Sequence, residues 1–403
     1  MWTGKTIVLG VTGGIAAYKA AELAGEIRRR GAVTEVVMTD AACQFITPLT
    51  FRELTGRQVF IDAFAPPERM EVQHIGLATR ADLIVIAPAT ANTIAKIAHG
   101  IADNLLTAVV LATKKPVLLA PAMNTGMYEN DATQTNLNLL IKRGMTIVGP
   151  ASGQLLCGSV GVGRLSPLTE ILFAMERVFS PQDFLGRKII VTAGGTREPV
   201  DPVRFLGNRS SGRMGVALAK VFARRGAEVV LVAGVMEIEP PPVIELIRAE
   251  STGEMREQVL AHLPGASAVV LAGAPADFRA ARPSGSKIKR EGRTELELAL
   301  IPTEDIAAEV GRRKRADQML VIFAAETEDL RRNARLKLER KGADLAVAND
   351  VTSPDSGFGT ETNQVCLITR TDEISLPLLP KDETAWAIAD AMQPFFTRDA
   401  GDD

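Results

Sequence analysis

Residues 5–38 read KTIVLGVTGGIAAYKAAELAGEIRRRGAVTEVVM. A short apolar run, KTIVLG, ends in a glycine turn, VTGG. The next stretch, IAAYKAAELAGEIRRRG, repeats Ala, Leu and Ile on one helical face and stops at Gly31. TEVVMTDAA then begins a second strand. Strand, glycine turn, helix and strand is how a parallel α/β sheet starts. The order returns at residue 187. RKIIVTAGG is strand and turn, SSGRMGVALAKVFARRG is a helix opened by serine and closed by Gly226, and AEVVLVAG is the next strand.

Between these two starts lie ADLIVIAPA, KPVLLAPAM and MTIVGP, and beyond them ASAVVLAGAPADF, MLVIFAAET and ADLAVAND. Continuous apolar runs alternating with helices belong to parallel strands covered on both faces. The predicted fold is therefore α/β, with two Rossmann-like parallel-sheet domains. SPQDFLGRK (180–188) is the linker candidate, which gives domains 1–185 and 186–403. In the second half, ARPSGSKIKREG is polar and expected to be mobile. DLRRNARLKLERKG is a charged helix, NQVCLITRTDEISLPL a hairpin-like pair, and RDAGDD a frayed acidic tail.

Composition narrows the function. Among 403 residues, 46 Lys and Arg face 48 Asp and Glu, a formal charge of −2. A nucleic-acid binder would carry a basic excess, and 4% aromatic residues leave little for base stacking. Cys43, Cys157 and Cys366 are too few and too scattered for a disulfide framework, which points to a reducing, cytoplasmic compartment. With His74, His99 and His262 the only histidines and no CxxC pair, a structural zinc site is not expected. No apolar run reaches membrane-helix length. Lys5 followed by TIVLGVTGGIAAY loosely resembles a signal peptide, but it continues into a well-patterned helix and reads as a buried first strand.

Several stretches admit both a chemical and a structural reading. GVTGGIAA lacks the GxGxxG fingerprint, yet Gly13 and Gly14 place backbone N–H groups and a helix N-terminus where a phosphate fits. Thr90 and Asn92 follow a strand's carboxyl end, where ligands gather in open sheets; they equally suit helix capping. Asn124, in PAMNTGMYEN, suits carboxylate binding or turn formation. Cys157 lies in SGQLLCGSVGVGRL, whose four glycines suggest a mobile flap around a thiol. His74 reads either as a site residue or as a satisfied core histidine.

Taken together, GVTGGIAAYK, QHIGLATRAD, PATANTIAKIAHGIADNLL, PAMNTGM and CGSVGVGR resemble the flavin-dependent cysteine decarboxylases. VTAGGTREPVDPVRFLGNRSSGRMG, GAPADF, KIK, FAAET and AND resemble the phosphopantothenate–cysteine ligases. The whole chain, from residue 4 to about 390, resembles the bifunctional bacterial family of coenzyme A biosynthesis that joins the two activities. Three positions depart from the usual motifs. Tyr128 stands where Trp is common, the flap ends GRL rather than GRM, and the lysine motif reads KIKR rather than KIKK.

The resemblance implies two reactions. The ligase activates the carboxylate of 4'-phosphopantothenate with CTP and Mg2+ as an acyl-cytidylate, and L-cysteine displaces CMP. Gly194, Gly195 and Thr196 would cradle phosphates, and Asp277 would hold the nucleotide or its metal. Phe323 would pack on the cytosine, while Lys337 and Lys341, four apart on one helix face, would reach the nucleotide. Without the family those lysines read as a solvated basic face. Lys287 would stabilise developing charge, Asn208 would hold the acyl intermediate and Arg204 would support its turnover, with Ser210 and Ser211 as helix caps. In the decarboxylase, FMN oxidises the thiol-bearing carbon, CO2 leaves the thioaldehyde, and the ene-thiol is reduced. His74 would assist oxidation, Asn124 bind the carboxylate and Cys157 donate a proton. Gly13, Gly14, Thr90 and Asn92 would form the FMN site. Relatives imply a homo-oligomer, a dodecamer in the fused chain. Competing readings are a chain with one inactive half, a flavin-binding interaction protein, and a nicotinamide oxidoreductase, which the missing fingerprint disfavours.

Overall fold

The structure is a computed structural model that describes residues 1–64, 72–154, 160–290, 294–326, 329–350 and 359–397. It divides into two compact units, Met1–Ser180 and Pro181–Asp403. The acidic tail lies outside the described residues.

The first unit is built on six parallel strands: β1 (Thr6–Val11), β2 (Val33–Met38), β3 (Val59–Phe60), β4 (Leu83–Ala89), β5 (Val117–Pro121) and β6 (Thr146–Ile147). Their order is β3-β2-β1-β4-β5-β6. This is the doubly wound Rossmann arrangement, in which the winding reverses between β1 and β4. All seven residues of β4 and all five of β5 are buried, because helices cover both faces. Side chains alternate between the two covered faces. Ile7, Leu9 and Val85 join one core cluster, and Val8, Ile84 and Ile86 the other. Helix Ala17–Arg29 buries Ala17, Ala20, Leu23, Ala24 and Ile27, a stripe of helical period. Removing a residue such as Ile27 from water contributes about 2 kcal/mol. Gly31, at φ +89°, ends the helix with its N–H on Arg28 O at 2.9 Å, as the sequence leads one to expect.

The second unit repeats the winding with two strands added. Its members are β7 (Lys188–Ala193), β8 (Glu228–Ala233), β9 (Glu245–Arg248), β10 (Ala268–Leu271), β11 (Met319–Glu326), β12 (Leu345–Asp350), β13 (Val365–Ile368) and β14 (Glu373–Ser375). The order is β9-β8-β7-β10-β11-β12-β13-β14, and only the last two pairings are antiparallel. The hairpin read around NQVCLITRTDEISLPL is thus the edge of the main sheet. Between β7 and its helix the chain inserts a two-stranded ribbon, Arg197–Pro199 against Phe205–Gly207.

Helix Arg213–Arg224 corrects one expectation. No serine caps it. Gly212 holds the N-cap position at φ +76°, and there is no side-chain cap hydrogen bond. A capping hydroxyl works from an extended N-cap residue. Ser211 stands one position too early, and its carbonyl accepts from the N–H of Glu237 at 3.1 Å.

At the other end of this helix the Arg225 guanidinium is 2% exposed in its side chain. It donates to Asp183 Oδ1 at 2.9 Å, Asp183 Oδ2 at 2.5 Å and Asp390 Oδ1 at 2.5 Å, and it lies 5.0 Å from the Phe184 ring and 5.1 Å from the Trp386 ring. The bond to Arg225 outweighs burial and holds the Asp183 carboxyl below its ordinary range. Its stabilisation is complete above the ordinary carboxylate pKa and is lost as pH falls through the lower folded value. Arg225→Ala should destabilise the second unit by about 3 kcal/mol, since two carboxylates and two rings lose their partner. Urea titration followed by Trp386 fluorescence, with Trp2 replaced by Phe in both proteins, measures it. An unchanged midpoint would show the network contributes nothing.

Candidate functional site

In the first unit Thr12 lies at the point where the winding reverses. Its hydroxyl donates to Pro88 O at 2.7 Å and accepts from Thr90 N–H at 3.1 Å, tying the exits of β1 and β4 together. Gly13 follows, and a Cβ there would stand 2.4 Å from Ala41 Cβ, so only glycine lets the turn pass. A Cβ on Gly14 would be 3.6 Å from Thr90 Cγ2, which places Gly14 and Thr90 across a narrow gap. Thr90 also caps helix Ala91–His99, accepting from Thr93 N–H at 3.4 Å. Both readings of Thr90, cap and crevice residue, therefore hold geometrically. Asn92 is exposed in the first turn of that helix. Helix Ala17–Arg29 starts beyond Gly14 with no side-chain cap. Sequence reasoning missed Thr12; its signal was a hydroxyl directly before the double glycine.

Asn124 follows β5. Its Oδ1 accepts from Gly126 N–H at 2.9 Å and shapes the short turn Thr125–Tyr128. Over this turn an antiparallel hairpin, Ala151–Gln154 with Val160–Arg164, is fastened by Met123 N–H to Gly163 O at 2.9 Å. The flap of the sequence reading is this hairpin. Cys157, in the stretch 155–159, lies outside the described residues. His74 is half-buried at the start of helix Gln73–Arg80, and its imidazole makes no hydrogen bond among the described residues. His99 and His262 differ: they meet Asn136 Oδ1 at 3.0 Å and Gln258 O at 2.8 Å. Both are hydrogen-bonded without being core residues, since His99 is exposed and His262 half-buried.

The second unit has a cavity of about 650 Å3 at the carboxyl ends of β7, β10, β11 and β12. Asn208, Asp277, Phe323, Lys337 and Lys341 all line it, although they come from separate segments. One bank is the turn Ser211–Gly215. The opposite bank is Asp305–Ala307 with Lys337, Arg340 and Lys341. Asn208 Nδ2 donates to Pro275 O at 2.9 Å, linking two lining loops. Asp305 caps helix Ile306–Arg313 through Ala308 N–H at 3.0 Å and pairs with Lys341. Burial works against that carboxylate, yet the bond from Lys341 and the cap hold it below the usual range.

Gly194, Gly195 and Thr196 do not line this cavity. A Cβ on Gly194 would meet Val235 O at 2.4 Å, and one on Gly195 would meet Asn208 O at 2.8 Å. Thr196 is 1% exposed, and its hydroxyl is engaged by Thr252 Oγ1 at 3.0 Å and Ala276 N–H at 2.8 Å. This turn braces the loops behind the cavity. The first helix turn next to the cavity is instead Gly212–Gly215, displaced down the chain by the inserted ribbon. Gly215 lets that helix sit against β7, since a Cβ would lie 2.5 Å from Ala193 Cβ.

Arg204 and Lys287 are not among the residues that line the cavity. The buried Asp201 carboxylate accepts from Val203 N–H and Arg204 N–H at 2.8 Å and from Ile288 N–H at 3.2 Å, and Arg204 donates to Ile288 O. The stretch around Lys287, read as mobile, is thus moored at Ile288, while Lys287 itself is exposed. Burial opposes the Asp201 charge, but those N–H groups and Arg204 keep its carboxyl below the ordinary range. Asp201, Arg213, Asn363 and Lys381 were not singled out from sequence. Among the described residues no group of three His, Cys, Asp or Glu is placed to hold a metal, and no helix is long and apolar enough to cross a membrane.

Comparison with known proteins places these sites in a family. Residues 1–180 match the Flavoprotein family, and residues 184–395 match the DNA/pantothenate metabolism flavoprotein C-terminal domain. The coenzyme A biosynthesis bifunctional protein CoaBC of Vibrio cholerae is 43% identical over 96% of this chain and 97% of its own. That of Bacillus subtilis is 40% identical over 96% of each. Among solved structures, the C-terminal domain of a CoaBC protein is 34% identical, covering 54% of this chain and 99% of its own with a TM-score of 0.47. With relatives aligned along nearly its whole length, the chain belongs to the family of coenzyme A biosynthesis bifunctional proteins, and its two halves are a flavoprotein decarboxylase domain and a ligase domain.

Proposed function

We propose that residues 186–403 join 4'-phosphopantothenate to L-cysteine at the expense of CTP, and that residues 1–185 decarboxylate the product with FMN to give 4'-phosphopantetheine. The observation that carries the reading is the cavity in the second unit. It gathers Asn208, Asp277 and Phe323 from the ligase motifs with Lys337 and Lys341 from the charged helix, at the carboxyl ends of parallel strands.

A carboxylate is inert toward amines until an oxygen is turned into a leaving group. Lysines at 337 and 341 supply positive charge on one bank, and Phe323 offers a flat apolar face to a base. Asp277 is exposed to the cavity. One carboxylate together with phosphate oxygens suits Mg2+, which keeps much of its water shell. Asn208 presents its amide at the junction of two lining loops, where it would hold the acyl-cytidylate. Arg204 and Lys287 are moored together through Asp201 and Ile288, so Lys287 can approach the triphosphate from the rim while Arg204 supports turnover of the intermediate. Gly194, Gly195 and Thr196 position those loops.

The first unit fits a flavin nucleotide. The crevice between β1 and β4 exposes an uncapped helix N-terminus beside Gly13 and Gly14, suited to a phosphate, with Thr90 opposite and Asn92 at its edge. FMN bound there supplies reversible two-electron oxidation of the thiol-bearing carbon. His74, whose imidazole makes no hydrogen bond among the described residues, is available to take a proton. Asn124 would bind the substrate carboxylate, and Cys157 would return a proton in the final reduction. The chain works as a homo-oligomer, a dodecamer by its resemblance to trimeric decarboxylases and dimeric ligases.

A one-pot incubation with each nucleoside triphosphate in turn, scoring both products by mass, tests the whole reading. Formation of neither amide nor aminothiol sinks it. Cys157→Ser should retain ligation and bound flavin while net decarboxylation falls at least a hundredfold, a typical loss for a missing acid; normal aminothiol yield would remove the thiol from the mechanism. Lys287→Gln should slow CTP-dependent pyrophosphate release at least a hundredfold, as expected for a lost charge contact in the transition state, while decarboxylation of supplied phosphopantothenoylcysteine continues. Wild-type pyrophosphate release would eliminate that lysine.

A further inference from the structure

Lys381 is the residue in the second unit's cavity whose position is hardest to explain structurally. It is 7% exposed and opens helix Lys381–Thr397, yet it lines the cavity together with Asn363. Its Nζ donates to Asn363 Oδ1 at 2.7 Å, Thr362 O at 3.1 Å and Thr360 Oγ1 at 3.4 Å. Two ordinary rules are broken here. Lysine is almost never buried, and a cation in a helix's first turn opposes the helix dipole. Asp382 and Glu383, next in the chain, follow the dipole rule.

The surroundings indicate what offsets that cost. Asn363 Nδ2 lies 3.4 Å from Met214 Sδ, so the lysine's tether touches the turn Gly212–Gly215. That turn begins the helix following β7, the place where a doubly wound sheet holds a polyphosphate. Arg213 faces the same bank, and its guanidinium is paired with Glu361 and Glu237. Lys337, Arg340 and Lys341 stand on the opposite bank. A polyphosphate across the cavity would meet cations at both ends.

We propose that Lys381 is a positioning residue for the ligase, its ammonium fixing the nucleotide's polyphosphate against the Gly212–Gly215 turn. The inference rests on the CTP-dependent ligation proposed above. Asn363 aims the ammonium, and Arg213 sets the local field. Burial, then the charge of Arg213, lowers the Lys381 pKa to about 8. The ammonium is present below that pH and lost above it, so nucleotide affinity should fall with rising pH.

The test measures KM for CTP and kcat by pyrophosphate release, using the full chain, phosphopantothenate and cysteine. Lys381→Met should raise KM at pH 7 at least tenfold, as expected for one charge-assisted bond, with kcat changed less than threefold. Lys381→Arg should recover most of the affinity. Wild-type KM should rise across pH 7–9, and the Met variant should lack this rise. Should that variant fail to fold, the wild-type profile decides alone: a flat KM overturns the assignment. Unchanged KM in a folded Lys381→Met protein overturns it too, while CTP turnover persists and the ligase reading stands. Absence of pyrophosphate release by wild type with every nucleotide would overturn the ligase reading itself.

Discussion

A parallel sheet that winds both ways must open where the winding reverses, because the crossovers on either side leave in opposite directions. Both units place that opening beside their first strand. Left alone it would splay the strand ends and waste backbone hydrogen bonds. A threonine closes each one. Thr12 ties β1 to the exit of β4 through Pro88 O and Thr90 N–H. Thr192, near the end of β7, accepts from Gly273 N–H at 2.8 Å beyond β10. Each hydroxyl holds two strand exits at a fixed spacing and leaves the crevice above them open to a ligand.

From that shared constraint the units diverge through the path between first strand and first helix. In the first unit five residues separate Val11 from Ala17, and the helix N-terminus faces the crevice directly. In the second, the ribbon Arg197–Gly207 intervenes and the helix starts only at Arg213. The ribbon delivers Asn208 to the cavity and, through Asp201, moors Arg204 to the segment carrying Lys287. One topology thus supports a flavoprotein and a ligase, since the loops and not the sheet determine the chemistry.

Much of the fold was legible because its signals are local. Gly31 and Gly226 terminate helices through their own positive φ, and strands such as LIVIAPA announce burial by unbroken apolarity. The serine cap failed for an equally local reason, visible only in coordinates: Gly212 adopts the left-handed conformation and takes the N-cap place from Ser211. The phosphate turn was expected at Gly194–Thr196, directly after strand KIIVTA. The sequence does not reveal that the ribbon folds back and that Thr196 is spent on Thr252 and Ala276.

Lys381 and Asn363 were illegible for a deeper reason. They are eighteen residues apart and meet where Thr362–Asn363 pairs with Leu379–Pro380, a two-residue ladder too short to leave a periodic signal. In sequence, PKDETAWAI reads as an ordinary helix start, with Lys381 solvated before two acids. Folding reverses that: the acids face outward, Asp382 reaching Arg224, and the lysine turns in. Local preference and tertiary placement conflict at this residue. A conflict of this kind persists where surrounding structure or function repays it. Three neutral oxygens repay part of the cost of burying an ammonium, and a polyanion in the adjoining cavity would repay more, because its attraction grows as water is excluded. Lys341, already paired with Asp305, gains less from the same ligand than its charge alone suggests.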